Sequence, residues 1–338
     1  MTGPLRVGVV GIGFGQAVHV PAFRRDPRCV VVALAASDRE RAARVAHRLG
    51  IPSAYGDWRE LVASDAVDVV SMAVPPALQP DIAMAAAAVG KPVFCEKPLA
   101  VNGAAAERMF AAVTGARVAH AVDLEFAEIP AWQAAKRLLE EGAIGRPRSV
   151  SFSWRVRTRT RDPGGWKAHA EAGGGALGGF AAHALYLIEW TLGPVRRLAG
   201  WVDTEGGRAR ADVWLELASG CRATLSIATD AAAPTGCRVR YEGEGGALIV
   251  ENGGPDHVRG YHLMLARGAG SLEPHASTEL PDDGEDARVA VTAPIVSRFI
   301  DAVNGGSSVR PDLSDGLRVQ RLLDAVVAAS STRGWIAT

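Results

Sequence analysis

The 338-residue chain is 48% hydrophobic and 22% charged, which suits a globular protein of one large or two ordinary domains. Its 37 Lys and Arg balance 37 Asp and Glu, so no overall field recruits nucleic acid or an anionic membrane surface. Cys29, Cys95, Cys221 and Cys237 lie far apart without a CxxC pair, which argues against a zinc site and predicts reduced thiols in a cytoplasmic protein.

The opening "MTGPLRVGVVGIGFG" enters a strand-like run without a basic region or cleavage site, and no apolar run is long enough to span a bilayer. Short β-branched runs at 6–10, 30–35, 67–74, 92–95 and 118–124 then alternate with Ala-rich helical stretches at 16–25, 39–49, 58–63, 78–89 and 103–113. That alternation predicts a doubly wound parallel sheet. After about residue 130 the pattern changes. A helix at 131–141 is followed by a long strand at 148–160, a glycine cluster, and a helix around 183–192. Alternating segments at 196–203, 211–217, 221–229, 238–242 and 247–251 predict a second, open and mostly antiparallel sheet. Two closing helices, 291–304 and 314–330, are expected to pack back on the body, and 268–286 reads as a loop. The predicted domains are 1–124 and 125–338.

"VGVVGIGFGQAVHV" places Gly11, Gly13 and Gly15 between a buried strand and a helix. Gly11 permits the tight turn, and Gly13 lets a pyrophosphate approach the backbone at a helix N-terminus. The third fingerprint position holds Gln16, with Gly15 one residue early. Dinucleotide sites selective for NAD carry an acidic residue about 20 residues further on, at the end of the second strand. Strand register puts Ala36 there, followed by Ser37, Asp38 and Arg39. Without that carboxylate a 2′-phosphate is not repelled, and Ser37 and Arg39 are placed to donate to it. The reading favours NADP, with NAD as the alternative if Asp38 is the ribose ligand.

"VFCEKPLA" ends a buried strand on Glu96, Lys97 and Pro98. "RVRTRTR" puts Arg155, Arg157, Arg159 and Arg161 on one strand face, with Trp154, Val156, Thr158 and Thr160 on the other. A solvated sheet face or a subunit interface explains the arginines better than an anionic substrate does.

"GIGFG", "VPP", "EKP", "EGAIGRP", "GGGALGGFAAH" and "LSDGLRV" follow one another in an order that resembles the Gfo/Idh/MocA oxidoreductases along nearly the whole chain. The resemblance implies a Rossmann domain joined to an open α+β domain, and hydride transfer between NAD(P) and a sugar, cyclitol or similar polyhydroxy compound. Two further functions occur among such relatives: a non-catalytic cofactor sensor and an NAD-dependent glycosidase. Lys97 is implied as the catalytic residue, with Gly11, Gly13, Phe14, Gly15, Val74, Pro75 and Glu96 against the cofactor. His183 matches a catalytic histidine, but the aspartate four residues before it is Gly179, and Tyr186 takes the place of a second carboxylate. His183 and Tyr186, three apart, share a helix face. Trp166 and Lys167 match an aromatic–basic pair at the substrate mouth. Glu125 stands where Asn is common, which favours a polyhydroxylated or cationic substrate there. Arg155 is a further substrate candidate. The resemblance also implies a homodimer or homotetramer built through the second sheet.

Overall fold

The computed structural model describes residues 3–158, 165–169, 172–203, 209–276, 279–280, 282 and 284–338. The chain forms two compact units, residues 1–125 with 284–320, and residues 126–283 with 321–338.

The first unit alternates strand and helix. Its strands and helices are β1 (Leu5–Val10), α1 (Val20–Arg24), β2 (Cys29–Ala35), α2 (Arg39–Leu49), β3 (Ser53–Tyr55) and α3 (Trp58–Ala63), followed by β4 (Val69–Met72), α4 (Gln79–Ala88), β5 (Val93–Cys95), α5 (Gly103–Gly115) and β6 (His120–Val122). The six strands pair in parallel in the order β3-β2-β1-β4-β5-β6. Buried on both faces, β5 is wholly apolar and β4 is apolar but for Ser71, without the alternation of a half-exposed strand, as a covered parallel sheet requires. A π-helical turn, Gly15–His19, precedes α1. The edge strand β3 was not among the predicted strands; it has three half-buried residues and no apolar run to announce it.

The second unit opens with α6 (Pro130–Glu140) and β7 (Pro147–Arg155). A π-helical turn, Leu177–Ala181, leads into α7 (Ala182–Leu192). Then come β8 (Val195–Val202), β9 (Arg210–Leu217), β10 (Arg222–Ala228), β11 (Gly236–Gly243), β12 (Gly246–Asn252), β13 (His262–Arg267) and β14 (Glu273–His275). The stretch read as a loop at 268–286 therefore holds a strand. With β15 (Ile336–Ala337) they form, among the described residues, a nine-stranded sheet, β14-β13-β12-β11-β7-β10-β9-β8-β15, in which the β10–β7 pair is parallel and the other described pairs are antiparallel. Val150, Phe152 and Trp154 of β7 face the core beside Trp132 of α6, whereas Ser149, Ser151 and Arg155 lie on the open face. Arg159 and Arg161 lie outside the described residues, as do Thr160 and the alternation beyond it.

Helix α8 (Ala287–Val303) belongs to the first unit. Its Phe299 joins Phe23 and Phe94 in an aromatic cluster with ring centroids 5.4 to 6.5 Å apart. Helix α9 (Leu313–Thr332) runs on from the first unit into the second. The four cysteines are free and buried. Among the described residues, no helix is long and apolar enough to cross a membrane.

Candidate active site

In the first unit the chain leaves β1 through Gly11, whose φ of +103° favours glycine and whose absent Cβ would come within 2.2 Å of the Ala73 carbonyl oxygen. Its N–H donates to the Ala35 carbonyl at the end of β2 (2.9 Å), and Val74 lies beside it. Pro75 begins the turn that leads into α4, its carbonyl accepting from the Leu78 N–H (2.9 Å). Gly13 is exposed, and a Cβ there meets nothing within 4 Å; Gly15 packs on Val9. A bare backbone open to solvent at the head of a helix fits a dinucleotide pyrophosphate. Phe14 is covered by the Arg288 guanidinium, 4.8 Å from its ring centroid. Arg288 in turn pairs with Asp286 (2.5 Å) at the start of α8.

At the end of β2, Asp38 is the N-cap of α2 and accepts from the Arg41 N–H (3.0 Å), so its carboxylate is engaged in holding the helix. Ser37 and Arg39 are exposed, and Arg39 reaches Glu60 only at 3.6 Å, a weak surface pair.

Behind the Glu96–Lys97–Pro98 turn lies a buried polar cluster. Gln79, wholly buried at the start of α4, accepts from the Glu96 N–H (2.9 Å) and donates to the Pro98 carbonyl (2.7 Å). The Lys97 N–H donates to Glu96 Oε2 (3.1 Å). His19, at the end of the first π-helical turn, is 3.2 Å from Glu96 Oε1 through Nε2, 3.5 Å from Asp123 Oδ2, and 2.8 Å from Ser71 Oγ through Nδ1. Asp123 accepts from the Thr292 hydroxyl of α8 (3.0 Å). Burial acts to lower the His19 pKa, but the Asp123 and Glu96 carboxylates outweigh it and hold it up at about 9. Burial and the neighbouring charges of Asp123 and Glu96 push Glu125 well above the usual carboxylate range, against the opposing pull of Lys97. Burial thus favours the protonated form of Glu125, which both donates and accepts, as does the Asn common at this place. His120 accepts from the Leu313 N–H (3.4 Å), and burial lowers its pKa.

In the second unit, His183 is buried on α7 and lies flat on Phe126, with centroids 4.2 Å apart and planes at 11°. Phe126 also touches Trp154 of the core face of β7 (5.5 Å). Tyr186 is buried nearly one turn beyond His183. Trp166 and Lys167 sit in a 3-10 turn, Trp166–Ala168, with the Lys167 ammonium 5.8 Å from the Trp166 ring. Gly174 packs under that turn, because a Cβ there would come within 2.3 Å of the Trp166 carbonyl; part of the glycine run thus serves backbone packing. Arg155 does not join this group. It leaves the opposite sheet face and donates to Ser226 Oγ (2.7 Å), while Arg157 donates to the carbonyls of Ala231 (3.0 Å) and Ala232 (2.9 Å). Pleat alternation separates Arg155 from Trp154 and His183, so it is withdrawn as a substrate contact.

Sequence reading found the glycine turn and Lys97 but missed His19, Gln79 and Arg288. His19 stands inside the glycine-turn motif itself, yet its partners come from three other strand ends.

A glycine turn heading a doubly wound parallel sheet is the frame of a dinucleotide-binding domain. The profile described as "Oxidoreductase family, NAD-binding Rossmann fold" matches residues 5–124, and the GFO/IDH/MocA C-terminal domain matches residues 132–249. The chain belongs to the Gfo/Idh/MocA oxidoreductase family. It is 28% identical to levoglucosan dehydrogenase of Pseudarthrobacter phenanthrenivorans, over 98% of this chain and 97% of that one. It is likewise 28% identical to D-xylose 1-dehydrogenase (NADP(+)) 2 of Haloferax volcanii, over 96% of this chain and 97% of the relative. Among solved structures, an NAD binding oxidoreductase from Klebsiella pneumoniae superposes with a TM-score of 0.86 at 28% identity, covering 99% of both chains.

Proposed function

We propose that the protein is an NADP-linked dehydrogenase of a sugar, cyclitol or similar polyhydroxy compound. The observation that carries this is the Glu96–Lys97–Pro98 turn, held by Gln79 on one side and His19 on the other. A bound nicotinamide dinucleotide supplies the acceptor or donor of the hydride. Lys97 takes the proton of the reacting hydroxyl when hydride leaves its carbon, and in the reverse direction gives a proton to the alkoxide that hydride addition to the carbonyl forms. His183 is proposed to polarise the substrate oxygen, with Tyr186 as a further donor. Glu125, whose protonated form burial favours, is proposed to hydrogen-bond a substrate hydroxyl, with Trp166 and Lys167 at the mouth. The names of the levoglucosan and xylose dehydrogenases support a polyhydroxy substrate. For the cofactor, Ala36 leaves no carboxylate at the ribose position and Asp38 is occupied as a helix cap, which together support NADP over NAD.

The test is to titrate the protein with NADPH and NADH by fluorescence, then screen aldoses, ketoses, inositols and anhydro sugars for absorbance change. Lys97→Ala is expected to bind cofactor within about twofold of wild type and to lose ~10²–10⁴ in turnover. Full turnover in that variant removes Lys97 from the reaction. Gly179 supports a second reading, a cofactor-binding sensor, because the carboxylate usual there is missing. Tight NADPH binding with no turnover across the panel selects that reading. We also propose a cytoplasmic homodimer or homotetramer joined through the second sheet, whose Trp201 and Trp214 are about half exposed; a monomer in light scattering rules it out.

A further inference from the structure

Two carboxylates and one imidazole meet behind the Glu96–Lys97 turn, with one ligand-type atom of each within 4.8 Å of the others. His19 and Asp123 are wholly buried, and the His19 ring is gripped edge-on between Phe14 (5.5 Å) and Phe94 (5.2 Å). Two buried carboxylates without a cation are costly to hold, and an imidazolium donating through both ring nitrogens satisfies Ser71, Glu96 and Asp123 together. We propose that His19 acts as a buried imidazolium that positions the reaction's lysine: it holds Glu96, and through Glu96 the backbone of Lys97, in the geometry the chemistry uses. The linkage is continuous, since one Glu96 oxygen meets His19 and the other takes the Lys97 N–H. This rests on the assignment of Lys97 above.

The charged and titratable groups facing His19 and its partners are Glu96 and Lys97 after β5, Asp123 and Glu125 after β6, and Arg288 on α8, whose charge is felt by Glu96 and Glu125. The folded pKa of His19, about 9, lies above its unfolded value near 6.5. A raised histidine contributes stability that is fully present below pH 6.5 and is lost as pH rises through about 9.

The experiment compares wild type with His19→Gln. Wild type is expected to lose melting temperature between pH 6.5 and 9, and His19→Gln to lack that part of the slope. The variant should bind NADH and NADPH within about twofold of wild type and keep its substrate KM. Its kcat, on whichever sugar of the panel is turned over, should fall by about 10²-fold, the scale of a small misplacement of a reacting group. Identical pH slopes in the two proteins, or an unchanged kcat, overturn the proposal. If His19→Gln does not fold, nitrogen-15 spectra of histidine-labelled wild type near neutral pH decide: two protonated ring nitrogens at His19 support it, one overturns it. A fully active Lys97→Ala overturns the assignment of the lysine whatever His19 does, so the two failures are separately visible.

Discussion

His19 and His183 are both buried; His19 closes one π-helical turn, and His183 stands just past another. Such turns often mark functional places, because the widened ring re-aims the side chains that follow. There the likeness ends. His19 meets Ser71, Glu96 and Asp123 and is held charged. His183 lies flat on Phe126 in an aromatic layer continued by Trp154. One histidine is fixed by charge and the other by the plane of its ring. The same residue type beside the same backbone device thus serves as a cation in one unit and as an oriented ring in the other, and the neighbours decide which.

Breaking the charged half should have the largest effect. Asp123→Ala removes a carboxylate from a buried ion pair and strips Thr292 of its acceptor. Removing one partner of such a pair typically costs about 3–5 kcal/mol. Urea unfolding at pH 7 measures this, and a cost below about 1 kcal/mol means that His19 is not held as a cation. The stacked half should respond more weakly. Phe126→Leu keeps an apolar side chain but loses the parallel ring pair, which is worth about 0.5–1.5 kcal/mol. It should raise substrate KM while leaving NADPH binding intact, because Phe126 belongs to the second unit. An effect on cofactor affinity as large as that on KM removes the distinction between the two histidines.

The difference also explains what sequence alone conveys. The parallel sheet was legible because strands covered on both faces are near-continuously apolar, as 93–95 and, but for Ser71, 69–72 are. Helix α2 was legible at both ends because Asp38 caps its start and Gly50, at φ +63°, ends it. Lys97 stood out because a charge at the end of a buried strand needs a reason. His19 did not, since its partners lie 52 and 77 residues away and Asp123 is fixed by Thr292 a further 169 residues on. No local pattern encodes a cluster assembled from the ends of β4, β5 and β6 and from α8. Strands β13, β14 and β15 escaped for a different reason. The last two hold three and two residues, too short for alternation to register, and β13 begins with an exposed histidine. The arginine alternation was legible as geometry only. Arg155 does lie opposite Trp154, but the fold gives its guanidinium to Ser226.

The smallest expected effect on stability belongs to the substitution that most sharpens the comparison. A Cβ at Gly179 meets nothing within 4 Å, so Gly179→Asp is expected to change stability by no more than about 0.5 kcal/mol, which urea unfolding measures. It places a carboxylate one turn before His183, giving the second histidine the kind of partner that the first has in Glu96 and Asp123. An opposite charge at that range favours the imidazolium, so proton NMR should show the His183 titration moving upward. Turnover should rise at least tenfold if the present site lacks a positioned acid or base, a group usually worth ~10²–10⁴. A His183 titration that stays in place, with turnover unchanged, shows that the aromatic stack governs this ring regardless of nearby charge.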